Sequence, residues 1–470
     1  MIHFPKVRSL FELFCSVVIL AGCQVGPAYR HPVIPAPQAW SAESSEGLGV
    51  WPTSDWWRAF GSPQLAKLID RAETGNLDVA AASERLEEAD AQAREAGSAL
   101  LPAIGANANG GTARQLSITG HERHRIYGAG VFQATYQLDF WGKNRSASQA
   151  AQNTAAAAQF AAQVVSLSTA SAVATTYIGL LGVQRQQALA QENLQRQRDM
   201  LAGLVAKEQA GIIPLLDLAQ QREVTDQLAA SLPPMAQQAE YLHTALAVLL
   251  GVLPEDLHLE PEALDDLSMP AIAGGLPSQL LLRRPDVQGA EAALKAANAN
   301  IRVARAAFFP SLNLTASGGI ESYALTHFTV PPLGIYSLAA SMTQPIFEGG
   351  LLRGQLDFAK AAYREDLATY RKAALSAFGD VENALTDANQ LAAQEAADTD
   401  TLRSARTSAQ MAQDAFHGGS TTMLDALAGE DALLLAEESQ AQARAQHLQA
   451  LVGLYRALGG GWASHAGSAS

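Results

Sequence analysis

The chain has 470 residues, a formal net charge of -14 and two cysteines. An isoelectric point of about 5.2 argues against a nucleic-acid partner, which needs a basic surface. Two cysteines, one of them in an apolar leader, leave no room for a disulfide framework or a multi-thiolate metal site in the mature chain.

Lys6 and Arg8 precede an apolar run from Leu10 to Gly22, broken once by Glu12. A basic start, a short apolar core and small residues at its end describe a secretory signal peptide over residues 1–22. The run is too short to span a bilayer, which takes about 20 apolar residues. No later segment reads as a transmembrane helix. Leu20-Ala21-Gly22-Cys23 resembles the lipobox of bacterial lipoproteins. That resemblance implies a diacylglyceryl group on the Cys23 sulfur, cleavage after Gly22 and acylation of the new amine, with no other cofactor. Gln24 stands where an aspartate would signal inner-membrane retention, so outer-membrane sorting is expected. The second reading of Cys23 is a buried thiol packed as a small hydrophobe.

After residues 23–75, an expected anchor and equatorial segment, the chain repeats itself. Asp78-Val79 matches Asp286-Val287; Leu86, Arg94 and Pro102 match Leu294, Arg302 and Pro310. Gly142 and Arg145 match Gly350 and Arg353, and Gly211, Leu216 and Asp217 match Gly419, Leu424 and Asp425. Leu250-Gly251 matches Leu458-Gly459. Every pair differs by 208 (286 - 78 = 208; 459 - 251 = 208). Matches at one fixed offset mark a duplication: residues 76–251 and 284–459, joined by a linker over 252–283 and followed by a tail over 460–470.

Each repeat opens with a helix, expected from Asp78 to Ala99 and from Asp286 to Ala307, stopped by Pro102 or Pro310. A strand region follows. Then come long proline-free segments, Lys143 to Ala210 and Leu351 to Phe416. As helices they would be roughly 100 Å long. They lack a wide apolar stripe, so packing through small residues is expected, along Ala157, Ala158, Ala161, Ala162 and Val165 and then Val173, Tyr177 and Leu180. A glycine turn and a returning helix close each repeat. Ser231-Leu232-Pro233-Pro234 predicts a kink or break in the first returning helix only.

The strand regions alternate with period two. Phe132, Ala134, Tyr136, Leu138 and Phe140 oppose Val131, Gln133, Thr135, Gln137 and Asp139. Leu312, Leu314, Ala316 and Gly318 oppose Asn313, Thr315 and Ser317; Tyr336, Leu338, Ala340 and Met342 oppose Ser337, Ala339, Ser341 and Thr343. Such alternation suits a barrel strand between lipid and water, and equally a half-buried soluble strand. Four strands cannot close a membrane barrel, because lipid tolerates no open edge. Either the sheet is soluble or several chains share one barrel.

Five blocks carry a family resemblance: Cys23-Gln-Val-Gly-Pro-Ala-Tyr-Arg-His-Pro32, Trp56-Trp-Arg-Ala-Phe-Gly-Ser-Pro-Gln-Leu65, Leu138-Asp-Phe-Trp-Gly-Lys-Asn-Arg145, Gln344-Pro-Ile-Phe-Glu-Gly-Gly350 and Gly275-Leu-Pro-Ser-Gln-Leu-Leu-Leu-Arg-Arg-Pro-Asp-Val287. Together they resemble the outer membrane factors, the TolC-like channels, and within them the NodT-type lipoproteins. The resemblance implies an α+β membrane protein. Three protomers would each give four strands to a 12-stranded β-barrel, continued by a long periplasmic α-helical barrel. Residues 41–70 and 252–283 would form an equatorial belt. The implied function is the outer-membrane channel of a tripartite efflux system, with a periplasmic adaptor, an inner-membrane pump, outer-membrane lipid and two further copies of the chain as partners. The alternative is a lipid-anchored coiled-coil tethering protein of the cell envelope.

The resemblance also implies site residues. The turns Gly211-Ile-Ile-Pro-Leu-Leu-Asp217 and Gly419-Ser-Thr-Thr-Met-Leu-Asp425 would face the periplasmic end, with Gly211 and Gly419 meeting the adaptor. Asp425 would line the closing aperture as a ring of three, with Asp217, Thr421 and Phe416 nearby. Thr421 stands where an arginine is usual, Phe416 where a tyrosine is, and Ala428 where a second aspartate is, which puts the family's polar latch in doubt. Both aspartates also suit simple first-turn placement, favoured by the helix dipole by roughly 0.3–1 kcal/mol. No catalytic signature is found. His121-Glu-Arg-His124 reads as a solvated loop between strands.

Overall fold

The structure, a computed structural model, describes residues 25–41, 53–116, 122–270, 277–322 and 333–460. The leader, Cys23 and His121 lie outside the described residues, as does the Gly275-Leu276 start of one family block.

The order of elements is α1 (Pro63–Gly75), α2 (Leu77–Ser98), β1 (Ala103–Leu116), β2 (Glu122–Leu138), α3 (Lys143–Gln209) and α4 (Leu215–Leu249). A four-residue α5 (Pro277–Leu280) leads into α6 (Pro285–Ala306), β3 (Ser311–Ser322), β4 (Leu333–Thr343), α7 (Leu351–His417) and α8 (Met423–Ala457). The first and second sets recur at the sequence offset. α3 and α7 both have 67 residues and start 208 apart (351 - 143 = 208). α4 and α8 both have 35 residues, and α2 and α6 both have 22.

The chain divides into two compact units. One holds residues 1–33, 85–159 and 289–371, and therefore the sheet. The sheet has the order β1-β2-β3-β4, antiparallel throughout. Its register decides what the alternation left open. Ile104 lies opposite Ala134, Ala134 opposite Ala316, and Ala316 opposite Leu338. Even-numbered residues therefore share one face across all four strands, and that face is apolar over 104–110, 128–138, 312–320 and 334–342, with Thr112, Arg114, Glu122 and His124 at the far end of β1 and β2. The odd-numbered face carries Asn107, Gln133, Thr135, Thr315, Ser317 and Ser341. Among the described residues neither face is covered: Phe132 is 68% exposed, Tyr336 86% and Leu338 78% on the even-numbered face, and Gln133, Thr135 and Ser337 are exposed on the other. Among the described residues no strand pairs with the outer edges of β1 and β4.

The junction after β2 is held firmly. Asp139 accepts hydrogen bonds from the backbone N–H of Asn144 and Arg145 at the start of α3. Trp141 stacks on Phe309 with ring centroids 4.8 Å apart, and its Nε1 donates to Pro310 O at 2.8 Å. In the same unit residues 25–31 lie on α6: Tyr29 OH donates to Glu291 Oε1 and His31 Nδ1 meets the same oxygen, both at 3.0 Å. Burial would raise the Glu291 carboxyl, but hydrogen bonds from His31, Lys295 and Tyr29 and the Lys295 charge outweigh it and hold the pKa down.

The second unit, residues 34–84, 160–288 and 372–470, contains most of the long helices. Val173, Tyr177 and Leu180 are buried, as the periodicity predicts. Ala161 is exposed and Ala157, Ala158 and Ala162 are only half-buried, so the upper part of that stripe is not a seam within one chain. One 18-residue window of α3 is apolar enough, by length and composition, to cross a membrane, which the sequence reading did not find. Half of that window is buried inside the fold, as expected of a core stretch of helix.

The expected break at Pro233-Pro234 does not occur, since α4 is assigned as helix through both prolines. Each proline deprives a carbonyl four residues back of its partner. Here those carbonyls belong to Ala229, half-buried, and Ala230, exposed, and both prolines are exposed. This stretch is open to solvent, which can satisfy a backbone carbonyl in place of an amide donor.

Residues 53–75 and 252–268 pack together in this unit. Ser62 caps α1 by accepting from Leu65 N and donates to Glu262 Oε2, which also accepts from Tyr177 OH. Ser268 N donates to Phe60 O at 2.8 Å, and Trp56 stacks on Tyr455. The Arg283-Arg-Pro-Asp286 block explains itself here. Arg284 forks Asp286 through Nε and Nη2 at 2.9 and 2.7 Å, and Nη2 also reaches Asp380 Oδ2 at 2.8 Å. Its Nη1 donates to Ala457 O, an orphan carbonyl at the end of α8. One guanidinium thus ties α6, α7 and α8.

Candidate functional site

The predicted site residues fall at the two turns α3–α4 and α7–α8, and both turns use the same backbone device. Ile212 N donates to Lys207 O and Gly211 N to Glu208 O; Ser420 N donates to Ala415 O and Gly419 N to Phe416 O. The bond spanning five residues is the Schellman closure of a helix end. It places Gly211 at φ +74° and Gly419 at φ +69°, where a side chain is disfavoured. A Cβ at either position would have nothing within 4 Å, so these glycines answer to backbone conformation and not to crowding inside the chain.

The turns differ in surface chemistry. The first exposes Ile212, Leu215 and Leu216. At the second, Ser420 replaces Ile212 (212 + 208 = 420), Met423 is buried, and Leu424 is exposed.

The two aspartates also differ. Asp425 is the N3 residue of a capping box at the start of α8. Thr422 Oγ1 accepts from Asp425 N at 3.3 Å, and Asp425 Oδ2 accepts from Thr422 N at 3.2 Å. The same Oδ2 accepts from Thr422 Oγ1 at 2.6 Å and Thr421 Oγ1 at 2.7 Å. These bonds, Thr422 first, lower the pKa of an otherwise fully solvated carboxyl. Asp217 sits in the first turn of α4, whose N-cap, Pro214, makes no side-chain cap bond. The Thr-x-x-Asp spacing of a capping box is visible in the sequence, and the sequence reading passed over it.

Phe416 belongs to an apolar cluster that joins the hairpins: Leu204 and Leu218 from the first, Met423 and Leu427 from the second, with Phe416 packed against them. Lys207 Nζ lies 5.9 Å from the Phe416 ring centroid, within cation–π range. Lys207 was missed by sequence reasoning because nothing in α3 marks it as facing an aromatic ring on α7. The hairpins are held here by apolar packing and a cation over a ring.

Asp425 has two roles that one substitution separates. Asp425→Asn keeps an acceptor for the cap and removes the charge. Its depressed pKa means the ionised cap stabilises the turn above the unfolded carboxylate pKa, and that contribution is lost as pH falls through the lower folded value. If Asp425 lines the aperture, Asn lowers cation selectivity in single-channel recordings at neutral pH while thermal stability stays near wild type. Unchanged selectivity removes Asp425 from the aperture.

The sequence profile of the outer membrane efflux protein family matches residues 68–252 and again residues 276–460. The pyoverdine export outer membrane protein OpmQ of Pseudomonas putida is 36% identical over 463 residues, covering 97% of this chain and 98% of that one. The toluene efflux pump outer membrane protein TtgC of Pseudomonas putida is 30% identical over 98% of both chains. The structure of the MtrE outer membrane channel of Neisseria gonorrhoeae in its open state superposes with a TM-score of 0.85 at 31% identity, over 93% of this chain and 98% of that one. A doubled profile match, full-length relatives and a shared fold agree with the duplicated hairpins and the two-faced sheet: this chain belongs to the outer membrane efflux protein family and is an outer-membrane efflux channel.

Proposed function

We propose that three copies of this chain form one conduit. Their sheets close into a 12-stranded barrel in the outer membrane, and their long helices carry the tunnel into the periplasm toward an adaptor and an inner-membrane pump. The observation that carries this reading is the sheet. Its even-numbered face is apolar, its odd-numbered face polar, and both edges are open. Lipid excludes an open edge, so the sheet must be completed by other copies. Purified protein in mild detergent should run as a trimer that resists dissociation until heated, and should conduct ions in planar bilayers. A monomer without conductance would overturn the assignment.

The exposed apolar first turn, with the glycine of the second, forms the surface we assign to the adaptor. Cargo belongs mainly to the pump. OpmQ and TtgC are named for pyoverdine and for toluene, two different cargoes, yet this chain resembles both along nearly its full length. Cys23 is assigned a diacylglyceryl and an N-acyl chain. With a shared barrel holding the protein in the membrane, the lipid directs sorting. Cys23→Ser should abolish metabolic labelling by palmitate and cut the outer-membrane amount severalfold, while delivered molecules conduct normally. Wild-type delivery would remove the sorting role.

A further inference from the structure

The duplication carries more than homology, because the contacts between the two repeats inside one chain are themselves a template. The hairpins β1–β2 and β3–β4 have the same register: Ala103 opposes Thr135, and Ser311 opposes Thr343 (103 + 208 = 311; 135 + 208 = 343). Between the repeats, Ala134 opposes Ala316, and Arg302 Nη2 donates to Gln149 Oε1. Moving the repeat-one partner forward by 208 and the repeat-two partner back by 208 describes the seam between one copy and the next. Ala134–Ala316 becomes Met342–Ala108 (134 + 208 = 342; 316 - 208 = 108). Arg302–Gln149 becomes Arg94–Asp357 (302 - 208 = 94; 149 + 208 = 357).

We infer that Arg94 of one copy pairs with Asp357 of the next, at a seam where β4 meets β1 in the register of β2–β3. The inference rests on the trimeric reading above. Three observations support it. The transferred register keeps even-numbered residues opposite even-numbered ones, so Met342 and Ala340 meet Ala108 and Gly110 on the apolar face; a slip by one residue would turn apolar side chains to the polar face. Arg94 and Asp357 are both exposed within the chain, and among the described residues Asp357 has only its neighbour Lys360 as an ion-pair partner, 3.6 Å away. The position that holds the neutral Gln149 inside the chain holds a carboxylate at the seam. A covalent chain joins the repeats within a protomer. Nothing joins protomers, and a guanidinium bond to a carboxylate, with both partners ionised, is stronger than one to a neutral amide oxygen.

At the same seam Ile346 and Phe347 are 94% and 89% exposed, and Leu101 and Ile104 are exposed as well. In repeat one the corresponding junction is held by Trp141, which stacks on Phe309 and bonds Pro310 O; Gly349 stands at its counterpart, and Phe309 and Pro310 shift back to Leu101 and Pro102 (309 - 208 = 101; 310 - 208 = 102). The occupant of this apolar surface is therefore a second copy of the chain.

The test uses the full-length protein in detergent. Arg94→Asp and Asp357→Arg should each lower the temperature at which trimers dissociate by several degrees, and the double swap should recover most of that loss. Ala108→Cys with Met342→Cys should give covalently linked trimers on mild oxidation. Ala108→Cys with Ala340→Cys, two residues out of register, and each single cysteine variant should not. A double swap no more stable than the single variants, or efficient linking by the shifted pair, overturns the inference while wild-type trimers keep the trimeric reading. A wild-type monomer overturns both.

Discussion

Replacing Gly419 with tryptophan, or Gly211 with tryptophan, is expected to abolish efflux while leaving trimers in the outer membrane. The effect should be close to complete loss of transport-dependent resistance in cells that depend on this channel. Both glycines sit at positive φ in solvated turns, and no neighbour lies within 4 Å of a built Cβ. The fold can therefore house a side chain outside the turn, at a backbone cost of roughly 1–2 kcal/mol per left-handed residue. That cost is local, because the turn ends long helices whose burial lies elsewhere. A bulky ring there would stand where the adaptor is proposed to meet the turn. Trimer yield by heat-modified electrophoresis and efflux of a fluorescent substrate separate the outcomes. Wild-type transport in both variants removes the glycine turns from the docking surface, and loss of trimers shows a folding role instead. Gly211→Ala and Gly419→Ala should be milder, since a methyl group adds strain without reach.

Arg284→Ala should be the most damaging single change to stability. It removes a fork to Asp286, a bond to Asp380 and the donor to Ala457 O at the end of α8. Two carboxylates would then face each other without the cation. Breaking a buried charged pair costs about 3–5 kcal/mol. Arg284 is 11% exposed, but Asp286 and Asp380 are 36% and 52% exposed, so water relieves part of the loss. A net cost of about 2–3 kcal/mol is expected, enough to lower abundance severalfold in cells. Arg284→Lys keeps the charge but cannot fork, and should fall between. Thermal melts of the detergent-solubilised protein and limited proteolysis at the α6–α7 contact provide the measurement. A wild-type melting temperature for Arg284→Ala would show that the clasp is ornamental.

Much of this fold is legible in the sequence because its main signals are periodic. The offset of 208 located every long helix, since a duplicated helix must stop at the same turn chemistry. Alternation located the strands, because a pleated backbone sends successive side chains to opposite faces. Sequence pattern failed where the outcome depended on neighbours in space. Pro233-Pro234 predicts a break when the helix is considered alone; exposed backbone lets water take over the orphan carbonyls. Ala157, Ala158, Ala161 and Ala162 read as a seam, yet a stripe of alanines has no memory of which helix covers it. Phe416 and Lys207 are 209 positions apart (416 - 207 = 209), and no local pattern joins them.

What the sequence by itself determined is the repeat, the lengths of the helices and the residues at both turns. These follow from local chemistry: glycine at positive φ, proline at helix ends, and apolar spacing of two or of three and four. Only the tertiary structure decided that the even-numbered residues along most of the sheet share one uncovered apolar face. Only it showed that Arg284 clasps three helices, through Asp380 and Ala457. Each of these is a contact between residues far apart in the chain, and its energy comes from register, burial and hydrogen-bond geometry, which exist only once the chain has folded.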